Sequence, residues 1–181
     1  LLLYRDRIGK KPLYWCQIGQ NLVFGSEIKA ILAHDRVSRQ LDFTALYHFF
    51  SLKNVSAPAT AFRSIKQLMP GHYLIWEDGH VRIHPYWRLD FSQPLTDITP
   101  DEAAHHLLNL LDDAVRLRMQ CDAPYGAYLS GGVDSSSVVA LMCRHQTQPV
   151  ISFSLGYDEE PHGQFAGKSL DIEFARLMSR R

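Results

Sequence analysis

The stretch Tyr125-Gly126-Ala127-Tyr128-Leu129-Ser130-Gly131-Gly132-Val133-Asp134-Ser135-Ser136-Ser137-Val138-Val139-Ala140-Leu141-Met142 decides the fold of this chain. Residues 123–129 make a short, largely apolar run that predicts a strand, and residues 138–142 make an apolar run that predicts a helix. A Gly-Gly turn between strand and helix lets backbone N–H groups converge on a bound anion without interference from Cβ atoms. The helix start adds unpaired amides and the positive end of a dipole, both suited to phosphate. Ser130, Ser135 and Ser136 carry hydroxyl donors, and Asp134 offers oxygen to a hard cation such as Mg²⁺. Together these residues suit a pyrophosphate group. No G-x-x-x-x-G-K-[ST] occurs in the chain, so the loop is not a Walker A motif. Serine, glycine and aspartate are also ordinary turn residues, and the chemistry alone leaves a plain strand-turn-helix open.

The surrounding sequence extends this reading. Pro149 precedes a second apolar strand, residues 150–155, which stops at Gly156. Strand, helix and strand with near-continuous apolar strands imply a parallel α/β sheet. Ligands on such sheets sit beyond the carboxyl ends of the strands, where Ser130 and Gly156 fall. Upstream, Thr99-Pro100-Asp101-Glu102 spells a helix start, with Thr99 as N-cap, proline at the first position and Glu102 closing a capping box. Ala103, Leu107, Leu110, Leu111, Ala114 and Leu117 then fall on one apolar stripe. Residues 169–181 predict an amphipathic helix opened by Asp171 and Glu173, with no Gly or Asn cap at its end.

The first half has a different texture. Residues 13–17 and 22–24 are strand-like and separated by Gly19-Gln20-Asn21. Ser26 predicts the N-cap of a short helix over residues 28–33. Asp42 predicts the start of another, with Phe43, Leu46, Tyr47 and Phe50 at helical spacing. Pro70-Gly71 marks a turn, and two strands at residues 72–76 and 81–87 flank Glu77-Asp78-Gly79 as a hairpin. The expected organisation is α+β for residues 1–90, a polar, proline-containing linker over 91–98, and α/β for 99–181.

Composition limits the functions available. Nineteen basic and nineteen acidic residues cancel, which gives no electrostatic case for nucleic acid or for an anionic membrane surface. No apolar run approaches the length of a membrane span. Cys16, Cys121 and Cys143 are odd in number and widely spaced, which suits reduced, cytoplasmic thiols rather than a disulfide framework. Leu1-Leu2-Leu3-Tyr4 already reads as a strand and residues 169–181 as an uncapped helix. The expectation is therefore an internal piece of a longer polypeptide.

The string Ser130-Gly131-Gly132-Val133-Asp134-Ser135-Ser136 resembles the PP-loop of the ATP pyrophosphatases. Arg5-Asp6-Arg7-Ile8-Gly9-Lys10-Lys11-Pro12-Leu13-Tyr14, Phe24-Gly25-Ser26-Glu27-Ile28-Lys29-Ala30-Ile31 and Leu68-Met69-Pro70-Gly71-His72-Tyr73-Leu74 resemble, in order, segments of the glutaminase domain of glutamine-hydrolysing asparagine synthetases. Residues 122–132 are similar to that family's entry into the PP-loop. The resemblance implies the C-terminal portion of an Ntn-hydrolase-like, class II glutamine amidotransferase domain, followed by the N-terminal portion of an α/β synthetase domain. It further implies L-glutamine as nitrogen donor, and L-aspartate converted with ATP through β-aspartyl-AMP to L-asparagine, AMP and pyrophosphate. By the same resemblance Leu129, Ser130, Gly131, Gly132, Asp134, Ser135, Leu155 and Gly156 bind ATP and its pyrophosphate, Asp134 holds Mg²⁺, and the protein can form a homodimer.

The sequence departs from the family pattern in two places. The family's glutaminase nucleophile is an N-terminal cysteine, whereas position 1 is Leu and Cys16 falls inside a predicted strand as a core residue. The family's second glycine- and acid-rich loop, S-G-E-G-x-D-E, does not occur. Glu27 and Lys29 resemble residues near the ammonia passage but also suit a solvated helix face. Arg5 and Asp6 suit a structural ion pair as well as chemistry. The alternatives that share the loop are amidotransferases or cyclases acting on another carboxylate, such as β-lactam synthetases and exopolysaccharide-associated enzymes, and a nucleotide-binding remnant without catalysis.

Overall fold

The computed structural model describes residues 1–156 and 170–180, arranged as two compact units, Leu1–Pro94 and Leu95–Arg181. The first unit contains β1 (Leu2–Tyr4), β2 (Tyr14–Ile18), β3 (Asn21–Gly25), α1 (Ile28–Leu32), α2 (Phe43–Leu52), β4 (Lys66–Gln67), β5 (His72–Glu77) and β6 (His80–Pro85). Its strands form two antiparallel sheets, ordered β1-β5-β6 and β3-β2-β4. Strand alternation sends Leu3 and Leu74 to one face of the first sheet, where they pack with Leu68, Leu13, Trp15 and Leu22. The second sheet is covered on its other side by α1, through Cys16, Ile31, Val37 and Ile65. The unit is thus layered helix on sheet on sheet.

Short polar devices fix the turns of this unit. Asp6 accepts from the Lys10 and Lys11 amides at 2.8 and 2.9 Å. Those amides, Lys11 first, hold its carboxyl below the ordinary aspartate range. Arg5 is buried and spends its guanidinium on the carbonyls of Leu68, Gly9 and Lys11 rather than on Asp6. The ion pair the sequence suggests is replaced by a cation clamping three backbone segments. Asp42 caps α2 by accepting from the Thr44 and Ala45 amides. Ser26 is not a cap: α1 begins after Glu27, which makes no side-chain cap bond. Glu27 pairs instead with Lys29 at 2.7 Å on the surface. The apolar spacing of α2 does not mark its buried side, because Ala45 is buried while Phe43, Tyr47 and Phe50 are exposed.

The second unit contains α3 (Pro100–Arg118), β7 (Ala127–Tyr128), α4 (Val133–Arg144), β8 (Ser152–Phe153) and α5 (Leu170–Ser179). The capping box at Thr99 and Glu102 forms as its spelling predicts, with both reciprocal bonds present. Strands β7 and β8 pair in parallel, Ala127 opposite Ser152 and Tyr128 opposite Phe153. Helices α3 and α4 meet through Val115, Leu141 and Met142, with Met119, Ala127 and Val150 around them. Asp112 ties the same helices together by receiving His145 at 3.0 Å. The apolar stripe of α3 is largely exposed at Leu107, Leu110 and Leu117, because α4 meets only the C-terminal end of α3. Among the described residues no helix is long and apolar enough to cross a membrane.

Candidate nucleotide site

The loop between β7 and α4 is built on Gly131 and on the N-terminus of α4. Gly131 has φ +80°, and a Cβ there would lie 2.6 Å from the Ala175 amide nitrogen of α5. Both the left-handed backbone and the close approach of α5 demand glycine. Gly132 is the N-cap residue, and a Cβ there would meet only the Ser130 hydroxyl, at 3.5 Å. Its own requirement is therefore weaker.

Ser130 and Ser135 close the loop on itself. Ser135 Oγ lies 3.0 Å from Ser130 Oγ, receives the Ser130 amide at 3.2 Å and donates to the Gly132 carbonyl at 3.2 Å. Ser136 N–H enters the helix by donating to the Gly132 carbonyl at 3.0 Å. Among the described residues, the amides of Val133, Asp134 and Ser135 have no acceptor. Among the described residues no side chain caps α4, so none of them closes its positive end. Exposed Asp134 sits in that first turn. The donor set suits an anion such as a polyphosphate, and the Asp134 carboxylate is the oxygen donor that a divalent cation beside it would use. Among the described residues no cluster of three metal-ligating side chains occurs.

Beside the loop lies a cleft of about 340 Å³, lined by Tyr128, Leu129, Ser130, Phe153, Ser154, Leu155 and Asp171. It sits at the carboxyl ends of both parallel strands. Leu129 and Leu155 both line it but differ in burial: Leu129 is 2% exposed and anchors the floor, whereas Leu155 is 76% exposed at the rim. A purely core role holds for the first alone. Gly156 lies against Ile172 of α5, in space a Cβ would take. Ser136 departs from the sequence reading. Its hydroxyl is buried, has no partner among the described residues, and lines a second hollow, about 270 Å³, with Val139, Ala140, Cys143 and Met178.

Asp171, Tyr128 and Phe153 are among the cleft residues that escape sequence reading. Asp171 reads as a helix-start charge, yet it lines the cleft from α5. Tyr128 and Phe153 read as strand residues, and their rings meet at the cleft with centroids 6.5 Å apart. Only the strand register, which pairs residue 128 with 153, brings these together. In the first unit the sole thiol, Cys16, is 1% exposed within β2 and has no access to a substrate.

Comparison with known proteins gives two matches in chain order. Residues 1–87 match the glutamine amidotransferase domain family, and residues 106–181 match the asparagine synthase family. Asparagine synthetase [glutamine-hydrolyzing] 3 of Bacillus subtilis is 36% identical over 88% of this chain and 26% of its own length. A putative asparagine synthetase [glutamine-hydrolyzing] 2 of Methanocaldococcus jannaschii is 34% identical over 87% of this chain and 32% of its own length. The amidase chry2 of Gibberella zeae is 34% identical over 78% of this chain and 21% of its own length. The chain thus spans about a quarter to a third of the first two relatives. It carries a glutamine amidotransferase match followed by an asparagine synthase match, and over most of its length it is similar to glutamine-hydrolysing asparagine synthetases.

Proposed function

We propose that the protein carrying this sequence is an ATP-dependent, glutamine-hydrolysing amide ligase that converts L-aspartate to L-asparagine with release of AMP and pyrophosphate. The observation that carries the reading is the β7–α4 loop. Its glycine-built turn, uncapped helix start and adjoining cleft combine anion recognition with room for a nucleoside. In this reading the Val133, Asp134 and Ser135 amides, with the Ser130 hydroxyl, bind the phosphates that leave as pyrophosphate. Leu129, Leu155 and Gly156 border the base, and Ser135 keeps the loop closed around its ligand.

A carboxylate is a poor electrophile; attack of its oxygen on the α-phosphorus of ATP, with loss of pyrophosphate, would make AMP a leaving group that ammonia can displace from the acyl carbon. That path runs through β-aspartyl-AMP. Asp134 would hold Mg²⁺, which neutralises charge on the transferred phosphate. The first unit's family match supports L-glutamine as the ammonia source. Free thiols at Cys16, Cys121 and Cys143 suit a reducing, cytoplasmic setting.

The test is pyrophosphate release by the full-length protein with ATP, Mg²⁺ and either glutamine or ammonium. Aspartate-dependent release with asparagine as product supports the assignment. Release that requires another carboxylate would move the protein to a related amidotransferase, a reading kept open by its similarity to a protein named as an amidase. Mg²⁺-dependent ATP binding without turnover would mark a non-catalytic nucleotide-binding protein.

A further inference from the structure

The ladder between β7 and β8 stops one bond early, and a side chain completes it. Ala127 donates to the Ile151 carbonyl at 3.0 Å, and Leu129 donates to the Phe153 carbonyl at 2.8 Å. Bonds in a parallel pair are evenly spaced along the ladder. The next would run from the Leu155 amide to the Leu129 carbonyl. That carbonyl instead accepts the Ser154 hydroxyl at 2.6 Å. Among the described residues the Leu155 amide has no backbone acceptor. The strands therefore cease to pair where Leu129, Ser130, Ser154 and Leu155 line the cleft, and the Leu129 carbonyl stays bonded.

The bond reaches further than one carbonyl. The Leu129 carbonyl and the Ser130 amide share one rigid peptide plane. Ser154 holds one side of that plane, and Ser135 Oγ receives the Ser130 amide on the other. Ser135 in turn donates to the Gly132 carbonyl at the start of α4. A continuous hydrogen-bonded path thus runs from the end of β8 to the first turn of the anion-binding helix.

We propose that Ser154 is a positioning residue for nucleotide binding: it replaces the missing ladder bond, fixes the Leu129–Ser130 peptide at the loop entry and leaves the Leu155 amide to the nucleotide. The proposal rests on the nucleotide reading of the cleft. Its test is MgATP affinity by calorimetry on the full-length protein, for Ser154→Ala, Ser154→Thr and Gly131→Ala. Loss of one such bond should weaken MgATP about five- to tenfold in Ser154→Ala. Ser154→Thr keeps the hydroxyl and should bind within about twofold of the parent on the same scale. In turnover the alanine variant should raise KM for ATP while kcat at saturating ATP changes little. Unchanged affinity in Ser154→Ala, with binding lost in Gly131→Ala, would overturn the positioning role and leave the nucleotide site standing. Unchanged affinity in both would remove the site itself. Weakened binding that Ser154→Thr fails to restore would reduce Ser154 to a packing residue and equally overturn the proposal.

Discussion

The first unit buries its chain in continuous layers, whereas the second leaves its backbone open where chemistry is expected. Ile31, Ile65, Leu68, Leu74 and Cys16 are fully enclosed in the first, and Leu129 in the second. The difference follows from topology. Antiparallel strands pair with sequence neighbours through short turns, so two three-stranded sheets form within Leu1–Pro94. A parallel pair needs a crossover helix for each added strand, and residues 127–153 yield a single short ladder. That economy leaves the strand ends, the Gly131 turn and the helix amides of the second unit free to meet a ligand. Among the described residues, most fully enclosed side chains lie in the first unit and the open helix amides of the candidate loop lie in the second.

The sharpest way to break this contrast is to cut into each unit where it is strongest. Leu74 is 0% exposed between the two sheets of the first unit. Leu74→Ala should cost about 2–5 kcal/mol of that unit's stability, read by chemical denaturation. A cost below about 1 kcal/mol would mean that the sheets do not pack as a single core. In the second unit Gly131→Ala meets both a positive φ and the α5 backbone. It should cost roughly 1–3 kcal/mol and abolish MgATP binding, followed by calorimetry. Retained binding would show that MgATP does not bind at this loop.

A smaller effect separates helix formation from site formation. Thr99→Ala removes the hydroxyl that accepts the Glu102 amide, leaves the Thr99 amide on the Glu102 carboxylate, and should cost about 1 kcal/mol at the start of α3. MgATP affinity should be unchanged, since α3 lends the candidate site no side chain. A large loss of affinity would reveal that the α3–α4 packing through Val115, Leu141 and Met142 sets the loop geometry.

Much of this was legible because local chemistry spells local structure. Thr99, Pro100 and Glu102 form the capping box their order predicts, and Gly131 occupies the left-handed turn that a strand-to-helix loop needs. The parallel pairing follows from two apolar strands about a helix. Ser154 was not legible, because its partner lies 25 residues away and the bond exists only through strand register. Asp171 stands in the first turn of α5 as read, but that sufficient local explanation hides its second place, in the lining of the cleft. Apolar periodicity misjudged α2 and α3. Small Ala45 rather than the aromatics faces the core of the first unit, and Val115 lies beside the stripe of α3.

The weakest expected effect compares one carboxylate from each unit. Asp6 accepts the Lys11 and Lys10 amides, and Glu102 accepts the Thr99 amide and hydroxyl, so both carboxyls are held below their ordinary ranges. A carboxylate whose folded pKa is depressed stabilises the fold above its unfolded pKa, and that contribution is lost as pH falls through the folded value. Asp6 is half-exposed and Glu102 exposed, so the consequence should be local rather than global. Carboxyl chemical shifts followed by NMR should show each group titrating below free aspartate or glutamate. Protection of the Lys10 and Lys11 amides should fall with Asp6, and that of the Thr99 amide with Glu102. The two losses should occur independently, because each carboxylate holds only its own turn. A shared midpoint would mean that acid opens one cooperative structure rather than two separate caps.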